Sequence, residues 1–270
     1  MLERGIVTLS DAAYFPGLLA LHRSIQQMQP YPVMCYDIGL TTEQLTHAAG
    51  LDNLHVLDLP DDPLIEELQI ATAGATPLKK PTKRIWPLWI CPLLIRAAPC
   101  NDVFWLDCDM LVLRSLGELF AKLDGGPVFT PENKAPHLTA NSPELYDLMP
   151  IARSFDRNAP TVNGGVSGWR RGRDDAALAA YIAPIAAGAR DARILAALRW
   201  HDQGALIWAI QSLGLEDRVL GDARWNLCVD HVNGAPDLLQ WDDQLAARLR
   251  EALPDVGIVH WNGRPVPWNA

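Results

Sequence analysis

The first sixty residues alternate between short β-rich runs and amphipathic stretches, and no other feature narrows the possible folds as much. Apolar residues recur every three or four positions from Leu18 to Met28, which is the spacing of one helix face. A more polar helix is predicted over 41–49. Strands that alternate with helices are typical of a parallel sheet with helices on its faces. The β-rich runs are 5–9, 32–36 and 55–59.

The rest of the chain shows no internal repeat and no linker, so we predict one continuous domain over residues 1–270. Asp202 is a plausible N-cap of a late helix, and Gly214 follows its end. The pattern predicts helices over 86–96, with Pro87 in the first turn and a kink at Pro92, and over 174–183, 202–213 and 243–253. It also predicts strands over 103–106, 128–130, 161–169, 218–220 and 256–260, and loops over 71–83 and 131–142.

Charge and cysteine content exclude several classes of function. A net charge of −9 argues against a nucleic-acid partner, because phosphate backbones require a basic surface. The five cysteines show no zinc-ligand spacing, so we interpret them as reduced core thiols of a cytoplasmic protein. The first residues lead straight into a strand, and no apolar run approaches the ~20 residues of a membrane span. Peripheral attachment at the inner membrane face stays open.

The most informative motif is Asp107-Cys108-Asp109, which follows the apolar run 103–106. A buried parallel strand ends at the sheet edge where open α/β proteins bind ligands. Residues two apart in an extended segment project to the same side, so both carboxylates can face one cation. Mn²⁺ and Mg²⁺ prefer oxygen ligands and leave positions for phosphates. The alternative is a pair of solvated aspartates in a turn.

Three further motifs carry polar groups that suit a ligand site. Paired glycines at Gly164 and Gly165, after Asn163, indicate a bulge or a ligand close to the backbone, or else an ordinary turn. Asp202-Gln203 stands at a helix start, where backbone N–H groups favour negative charge, although a purely structural cap fits equally well. A lone histidine such as His260 after a strand is more often structural, so its weight comes from the other motifs.

Together and in this order, the motifs resemble the retaining glycosyltransferase family 8, which includes glycogenin and bacterial lipo-oligosaccharide galactosyl- and glucosyltransferases. The resemblance spans nearly the whole chain. The matching segments are Val7 to Asp11 with Tyr14, Val103 to Asp109, Asn163-x-Gly165-Val166, Asp202-Gln203, Trp225-Asn226, and His260-x-x-Gly263 with Pro267-Trp268.

The resemblance implies a GT-A fold, which is the Rossmann-like α/β fold of nucleotide-diphospho-sugar transferases with a mixed sheet flanked by helices. It implies Mn²⁺ or Mg²⁺ on Asp107, Asp109 and His260. Tyr14 would lie against the uracil and Asn163 near the donor sugar. The residues implied to bind the nucleotide sugar are Thr8, Asp11, Tyr14, Lys83, Asp107, Cys108, Asn163, Gly165, Gly263 and Arg264.

The implied reaction moves a hexose, galactose or glucose, from a UDP-sugar to a hydroxyl of a saccharide or glycolipid, with retention and an α-linkage. Asp202 and Gln203 would be the catalytic residues at the reacting face. Asp202 is the candidate nucleophile or oxocarbenium stabiliser, and Gln203 contributes electrostatics and positioning. Covalent and front-side mechanisms both stay open. Acceptor contacts are expected from 131–160 and 170–200, because such contacts lie on variable loops.

Two departures from the family pattern concern basic residues. Val266 stands where the family has a lysine before Pro-Trp, which leaves Arg264 as a replacement. A basic residue upstream of the first aspartate is also missing, because its place falls near Ile90 and Cys91. The displaced candidates for that position are Lys83, Arg84 and Arg96.

Two alternatives belong to other classes. A nucleotide-sugar-binding protein could keep the fold and lose turnover, as Val266 suggests. A phosphatase of the haloacid dehalogenase type also uses an apolar strand that ends in Asp-x-Asp. That class expects the motif near the start of the chain and a lysine downstream of it, whereas here no lysine follows Lys134.

Overall fold

The first part of the chain alternates strands and helices, as the sequence predicts. The structure is a computed structural model that describes residues 1–73, 85–229, 242, 244–262 and 268. Helix α3 was not predicted; Asp62 caps it by accepting a hydrogen bond from the Leu64 N–H, and Pro63 stands in its first turn. The elements are β1 (Leu2–Ser10), α1 (Phe15–Met28), β2 (Val33–Asp37), α2 (Thr42–Ala49), β3 (Leu54–Leu57) and α3 (Pro63–Ala71).

The middle of the chain differs from prediction at two places. A single helix over 86–96 is wrong, because Pro87 and Pro92 each stand in the first turn of a separate short helix. A loop over 131–142 is also wrong, because β6 continues to Pro136 and a helix follows. The elements are a 3-10 helix (Trp86–Trp89), α4 (Cys91–Ala97), β4 (Cys100–Leu106), β5 (Met110–Val112), α5 (Gly117–Lys122), a 3-10 helix (Leu123–Gly125), β6 (Val128–Pro136), α6 (His137–Ala140), α7 (Glu144–Leu148) and β7 (Pro160–Arg170).

The last part of the chain is mainly helical. The predicted strand over 218–220 is wrong, since a 3-10 helix ends at Arg218 and Val219 makes a single bridge to Phe129. Gly214 adopts φ +73° after α10 and closes it as predicted. The elements are α8 (Asp175–Arg190), α9 (Ala192–Ala197), α10 (Asp202–Leu213), a 3-10 helix (Glu216–Arg218), β8 (Leu227–Cys228), α11 (Leu245–Ala252) and β9 (Ile258–His260).

The main sheet is mixed and six-stranded, with strand order β3-β2-β1-β4-β7-β6. Strands β1 to β4 are mutually parallel, β7 lies antiparallel beside β4, and β6 pairs antiparallel with β7 at the edge. The chain moves outward from β1 to β3 and then returns to the other side of β1 as β4. The strand order therefore reverses between β1 and β4, and the crevice at their carboxyl ends is the expected ligand position. A second sheet has the order β5-β9-β8.

Two large apolar clusters cover the two faces of the main sheet. Alternate residues of β4 belong to opposite clusters, Val103 and Trp105 to one and Phe104 and Leu106 to the other. All five cysteines are buried, and no disulfide joins any two of them. Among the described residues, no helix has the length and apolar character to cross a membrane.

Candidate metal and nucleotide-sugar site

The two aspartates of the motif lie where the chain leaves β4 and turns into β5. Two hydrogen bonds orient Asp107: the Trp105 Nε1–H donates to its Oδ1 at 2.9 Å, and its own N–H donates to the Gly165 carbonyl at 3.0 Å. Asp109 lies next to Met110, the first residue of β5. The motif is therefore anchored to two strands of the main sheet, at the carboxyl end of β4.

Pairing between β5 and β9 brings His260 to the aspartates. The strands are antiparallel with Met110 opposite His260, and the Trp261 N–H donates to the Asp109 carbonyl at 3.0 Å. The His260 Nε2 lies 3.3 Å from Asp109 Oδ1 and 3.6 Å from Asp107 Oδ2. One ligand atom from each of the three side chains lies within 4.8 Å of the other two.

The three side chains fit a divalent cation. Two carboxylate oxygens and one imidazole nitrogen form a donor set suited to Mn²⁺ or Mg²⁺, with positions left for substrate. Space for the cluster depends on Gly165, because a Cβ there would lie 2.7 Å from the His260 Cε1 and 2.8 Å from Asp107 Oδ2. Any larger residue at this position would push into the donor atoms.

The charges around His260 favour a cation. Burial alone would lower the pKa of His260, but the carboxylates of Asp109 and Asp107, with a smaller effect from Glu132, raise that pKa above its ordinary value. A metal ion and a proton compete for the same ring nitrogen.

A pocket of about 450 Å³ opens at the carboxyl ends of β1, β2 and β4. Five residues predicted to bind the nucleotide sugar line it: Thr8, Asp11, Tyr14, Asp107 and Cys108. Asp11 orders the turn after β1, because its Oδ1 accepts hydrogen bonds from the N–H groups of Ala13 and Tyr14. Trp268 packs edge-on against Tyr14, with ring centroids 6.0 Å apart, and its Nε1–H donates to the Ala13 carbonyl. We call this the β1 pocket.

A second pocket of about 480 Å³ adjoins the first. Both pockets are lined by Leu88, Asp107 and Asp202, so the acidic cluster lies at their boundary. The structure brings together here most of the residues predicted near the donor sugar and the reacting face. The lining includes Glu132, Asn163, Gly164, Gly165, Trp200, His201, Gln203, His260 and Asn262. We call this the β7 pocket.

The paired glycines form a bulge in β7, one of the two interpretations of that motif. Phe129 of β6 lies opposite Ser167, but the next residue, Thr130, lies opposite Asn163. Residues 164–166 thus have no register partner in β6, although Val166 stays paired with Leu106 of β4, and the two glycines line the β7 pocket. The Gly164 N–H donates to Gln203 Oε1 at 3.1 Å, which connects the bulge to the start of α10.

The start of α10 is strained. Trp200 and His201 both have positive φ, 61° and 60°, which costs about 1–3 kcal/mol each for a residue other than glycine. The sharp turn makes His201 the N-cap, so the prediction of Asp202 as N-cap is wrong. Asp202 is already helical, and its Oδ1 accepts a hydrogen bond from the Gln203 N–H at 2.9 Å. Asp202 and Gln203 both line the β7 pocket as a result.

Asp202 is held by a buried phenol. The Tyr181 hydroxyl donates to Asp202 Oδ2 at 3.0 Å, and the Tyr181 ring stacks on Trp169. Burial, together with the charge of Asp107, raises the pKa of Asp202 to about 7, although the hydrogen bonds from Tyr181 and the Gln203 N–H act in the opposite direction. Near neutral pH the metal-free site therefore holds a mixture of protonated and ionised Asp202.

This pKa makes stability depend on pH. The folded protein holds the Asp202 proton more tightly than the unfolded chain, so stability falls as pH rises from about 4 to about 7. We expect Asp202→Asn to lack this loss. The free energy of unfolding of the variant, relative to wild type, should therefore be on the order of 2 kcal/mol higher at about pH 8 than at about pH 5. Urea unfolding in EDTA at both pH values measures the difference. The exposed Asp217→Asn is the control, and equal pH dependence in both variants would contradict the assignment.

Sequence reasoning missed three residues of the site. Glu132 lies in the segment predicted as a loop, Tyr181 appeared only as part of a helix, and Asn226 appeared only in the Trp-Asn match. All three side chains are almost fully buried, and each is hydrogen-bonded to a predicted site residue. Their only sequence signal is polarity at positions that the fold buries, which cannot be recognised before the strand pairing is known.

Several predicted contacts to the diphosphate cannot be placed or are wrong. Lys83, Arg84, Gly263, Arg264 and Val266 lie outside the described residues. Arg96 is wrong as a displaced diphosphate contact, because it pairs with Asp62 and lies beside Cys100 at the amino end of β4. The carboxyl end of the same strand carries Asp107. Cys91, near the position of the missing basic residue, lines the β1 pocket.

Comparisons with known proteins bear on the fold. No protein-family model matches the sequence, and no curated protein matches it. The galactosyltransferase LgtC, in complex with donor and acceptor sugar analogues, is 19% identical with a TM-score of 0.60, over 98% of this chain and 89% of that one. Mouse xyloside xylosyltransferase 1 is 13% identical with a TM-score of 0.57, over 98% of this chain and 100% of that one.

The bifunctional glycosyltransferase WbbM is 15% identical with a TM-score of 0.60 over 99% of this chain, which spans only 47% of WbbM. At this level of sequence identity, the similarity is evidence for a shared fold alone. The chain has a GT-A fold, a mixed α/β sheet flanked by helices, as the sequence resemblance implied.

Proposed function

We propose that the chain is a metal-dependent retaining glycosyltransferase of family 8, which moves galactose or glucose from a UDP-sugar to a hydroxyl of a saccharide or glycolipid. One observation carries the proposal: Asp107, Asp109 and His260, distant in sequence, converge at the boundary of two adjoining pockets. A donor whose diphosphate bridges that boundary would place its nucleotide in one pocket and its sugar in the other.

The β1 pocket is the proposed nucleotide subsite. Tyr14 offers its ring to the uracil; burial and the nearby Asp109 raise the pKa of its phenol, which keeps the hydroxyl neutral. Thr8, Asp11 and Cys108 line the same pocket. Lys83, Gly263 and Arg264 remain proposed contacts of the donor.

The acidic cluster is the proposed site of Mn²⁺ or Mg²⁺. A bound divalent cation would supply charge stabilisation to the leaving diphosphate, on the order of several kcal/mol. Asp107, Asp109 and His260 would hold this cation at the boundary between the two pockets. The described lining of the β1 pocket contains acidic residues and no lysine or arginine, so a cation supplies the positive charge that an anionic donor needs there.

The β7 pocket is the proposed sugar and acceptor subsite. Asn163 and Gly165 face the donor sugar, while Asp202 and Gln203 form the reacting face, with Asp202 as nucleophile or as stabiliser of the oxocarbenium-like transition state. The glycosyltransferase structures that share the fold support this assignment. We further propose a cytoplasmic location, where buried thiols that form no disulfide stay reduced.

A panel of UDP-hexoses tests the proposed function. Incubation with Mn²⁺ and each donor, with and without a saccharide acceptor, should release UDP from at least one of them, and EDTA should abolish the release. Retention is tested by the NMR coupling constant of the product's anomeric proton. A nucleotide-sugar-binding protein would bind a donor without UDP release, and a phosphatase would cleave phosphate esters instead. Either result rejects the proposal.

Gln203→Ala should slow transfer and leave nucleotide binding nearly unchanged. Gln203 lines the β7 pocket and not the β1 pocket, and its Oε1 fixes the Gly164 N–H of the bulge. The expected fall in kcat is about 10²-fold, the scale for one lost electrostatic or positioning group. Calorimetry of UDP binding beside a turnover assay separates the two effects, and loss of UDP affinity would move Gln203 into the nucleotide subsite.

A further inference from the structure

The imidazole of His260 is the end of a chain of buried hydrogen bonds. Its Nδ1 lies 2.9 Å from Asn226 Oδ1. Asn226 Nδ2 donates to Asn163 Oδ1 at 2.9 Å, and Asn163 Nδ2 donates to Glu132 Oε2. The four side chains are between 1% and 5% exposed, so bulk water does not compete for these bonds.

The orientation of the Asn226 amide follows from its neighbours. Asn226 Nδ2 faces two oxygens, Thr130 Oγ1 at 2.8 Å and Asn163 Oδ1 at 2.9 Å. The amide oxygen is therefore left for His260, and since that oxygen can only accept, the imidazole nitrogen opposite it must carry the proton. The Nδ1–H form leaves a lone pair on Nε2, the nitrogen that faces Asp107 and Asp109.

The orientation of the Asn163 amide is fixed in the same way. Its Oδ1 accepts hydrogen bonds from Asn226 and from the Gly165 N–H at 2.9 Å, which leaves its Nδ2 for Glu132. Each hydrogen bond in this series is thus donated in the same direction, from His260 through Asn226 and Asn163 toward the Glu132 carboxylate. Hydrogen bonds aligned in one direction polarise one another, and a carboxylate behind a ligating histidine raises its basicity.

We propose that Glu132, Asn163 and Asn226 form a positioning relay that fixes the Nδ1-protonated tautomer of His260 and directs its Nε2 lone pair at the cation. The relay rests on the proposed metal site. It is a longer version of a carboxylate bound directly to a ligating histidine, with two amides inserted between them. Because Glu132 and Asn163 also line the β7 pocket, the relay connects the sugar subsite to the metal ligand.

Asn226→Ala is the first test, with Mn²⁺ titrated calorimetrically into nucleotide-free protein. The variant should bind Mn²⁺ at least about tenfold more weakly, the usual scale for loss of a group behind a ligand. Thr130→Val is the matched control: it removes the other partner of the same amide and leaves the relay intact, so its affinity should stay close to wild type. Equal affinities in Asn226→Ala and wild type would overturn the relay.

Glu132→Gln is the second test and avoids a cavity beside His260. The side chain keeps its shape and loses the charge at the end of the relay, so Mn²⁺ affinity should fall several-fold. If Glu132→Gln and Asn226→Ala both bind Mn²⁺ with wild-type affinity, the relay does not affect the metal site and the proposal is rejected.

The tautomer can be read without a metal. Long-range ¹H–¹⁵N NMR spectra, recorded where the ring is neutral, should show His260 protonated on Nδ1 in wild type and Thr130→Val, and a mixture of tautomers in Asn226→Ala. Protonation on Nε2 in wild type would refute the relay. If wild type binds no Mn²⁺ but shows the Nδ1–H tautomer, the proposed metal site fails and the hydrogen-bond relay stands.

Discussion

Asp109→Asn should abolish metal-dependent transfer and leave the protein folded. Asp109 Oδ1 lies 3.3 Å from His260 Nε2, so its loss removes one of the three proposed ligands. Several kcal/mol of charge stabilisation corresponds to a fall in kcat of at least about 10³-fold. The fold should persist because the link from this position to β9 is a backbone bond, from the Trp261 N–H to the Asp109 carbonyl.

Turnover with a range of Mn²⁺ concentrations, together with circular dichroism and thermal unfolding, measures this result. Asp255→Asn is the control, because it makes the same chemical change at a side chain that is 95% exposed and lies away from the site. Full activity of Asp109→Asn at low Mn²⁺ would remove Asp109 from the metal site. Loss of folding would instead assign it a structural role.

Gly165→Ala should weaken Mn²⁺ binding by at least about tenfold and slow transfer in parallel. The added methyl group would lie 2.7 Å from Met110 Cε and from His260 Cε1, and 2.8 Å from Asp107 Oδ2. Real Cβ contacts are longer than this, so the ligand side chains must move apart. Overpacking of this kind costs about 1–3 kcal/mol, and 1.4 kcal/mol already corresponds to a tenfold change in affinity.

Gly221→Ala is a matched control, because a Cβ there has no heavy atom within 4 Å. Calorimetric titration of Mn²⁺ into both variants should give wild-type affinity for Gly221→Ala alone. Unchanged affinity in Gly165→Ala would mean that the cation does not lie between Asp107 and His260. Stability measured in EDTA separates general overpacking from damage to the ligands.

The residue patterns determined the elements whose signals are local. The alternation in the first sixty residues predicted β1 to β3 with α1 and α2, and the apolar run before Asp107 predicted the carboxyl end of β4. Local patterns failed where neighbours in space decide. The polar segment after Thr130 forms strand because β7, about 30 residues later in the chain, pairs with it.

The same division holds within the site. Sequence order alone singled out Asp107, Asp109 and His260, because their residue types and the motifs around them carry the resemblance. Only the tertiary structure decided that β9 pairs with β5, which brings an imidazole 3.3 Å from a carboxylate about 150 positions earlier in the chain. Glu132, Tyr181 and Asn226 belong to the site through burial and hydrogen bonding, and these properties depend on contacts between distant segments that a sequence pattern does not encode.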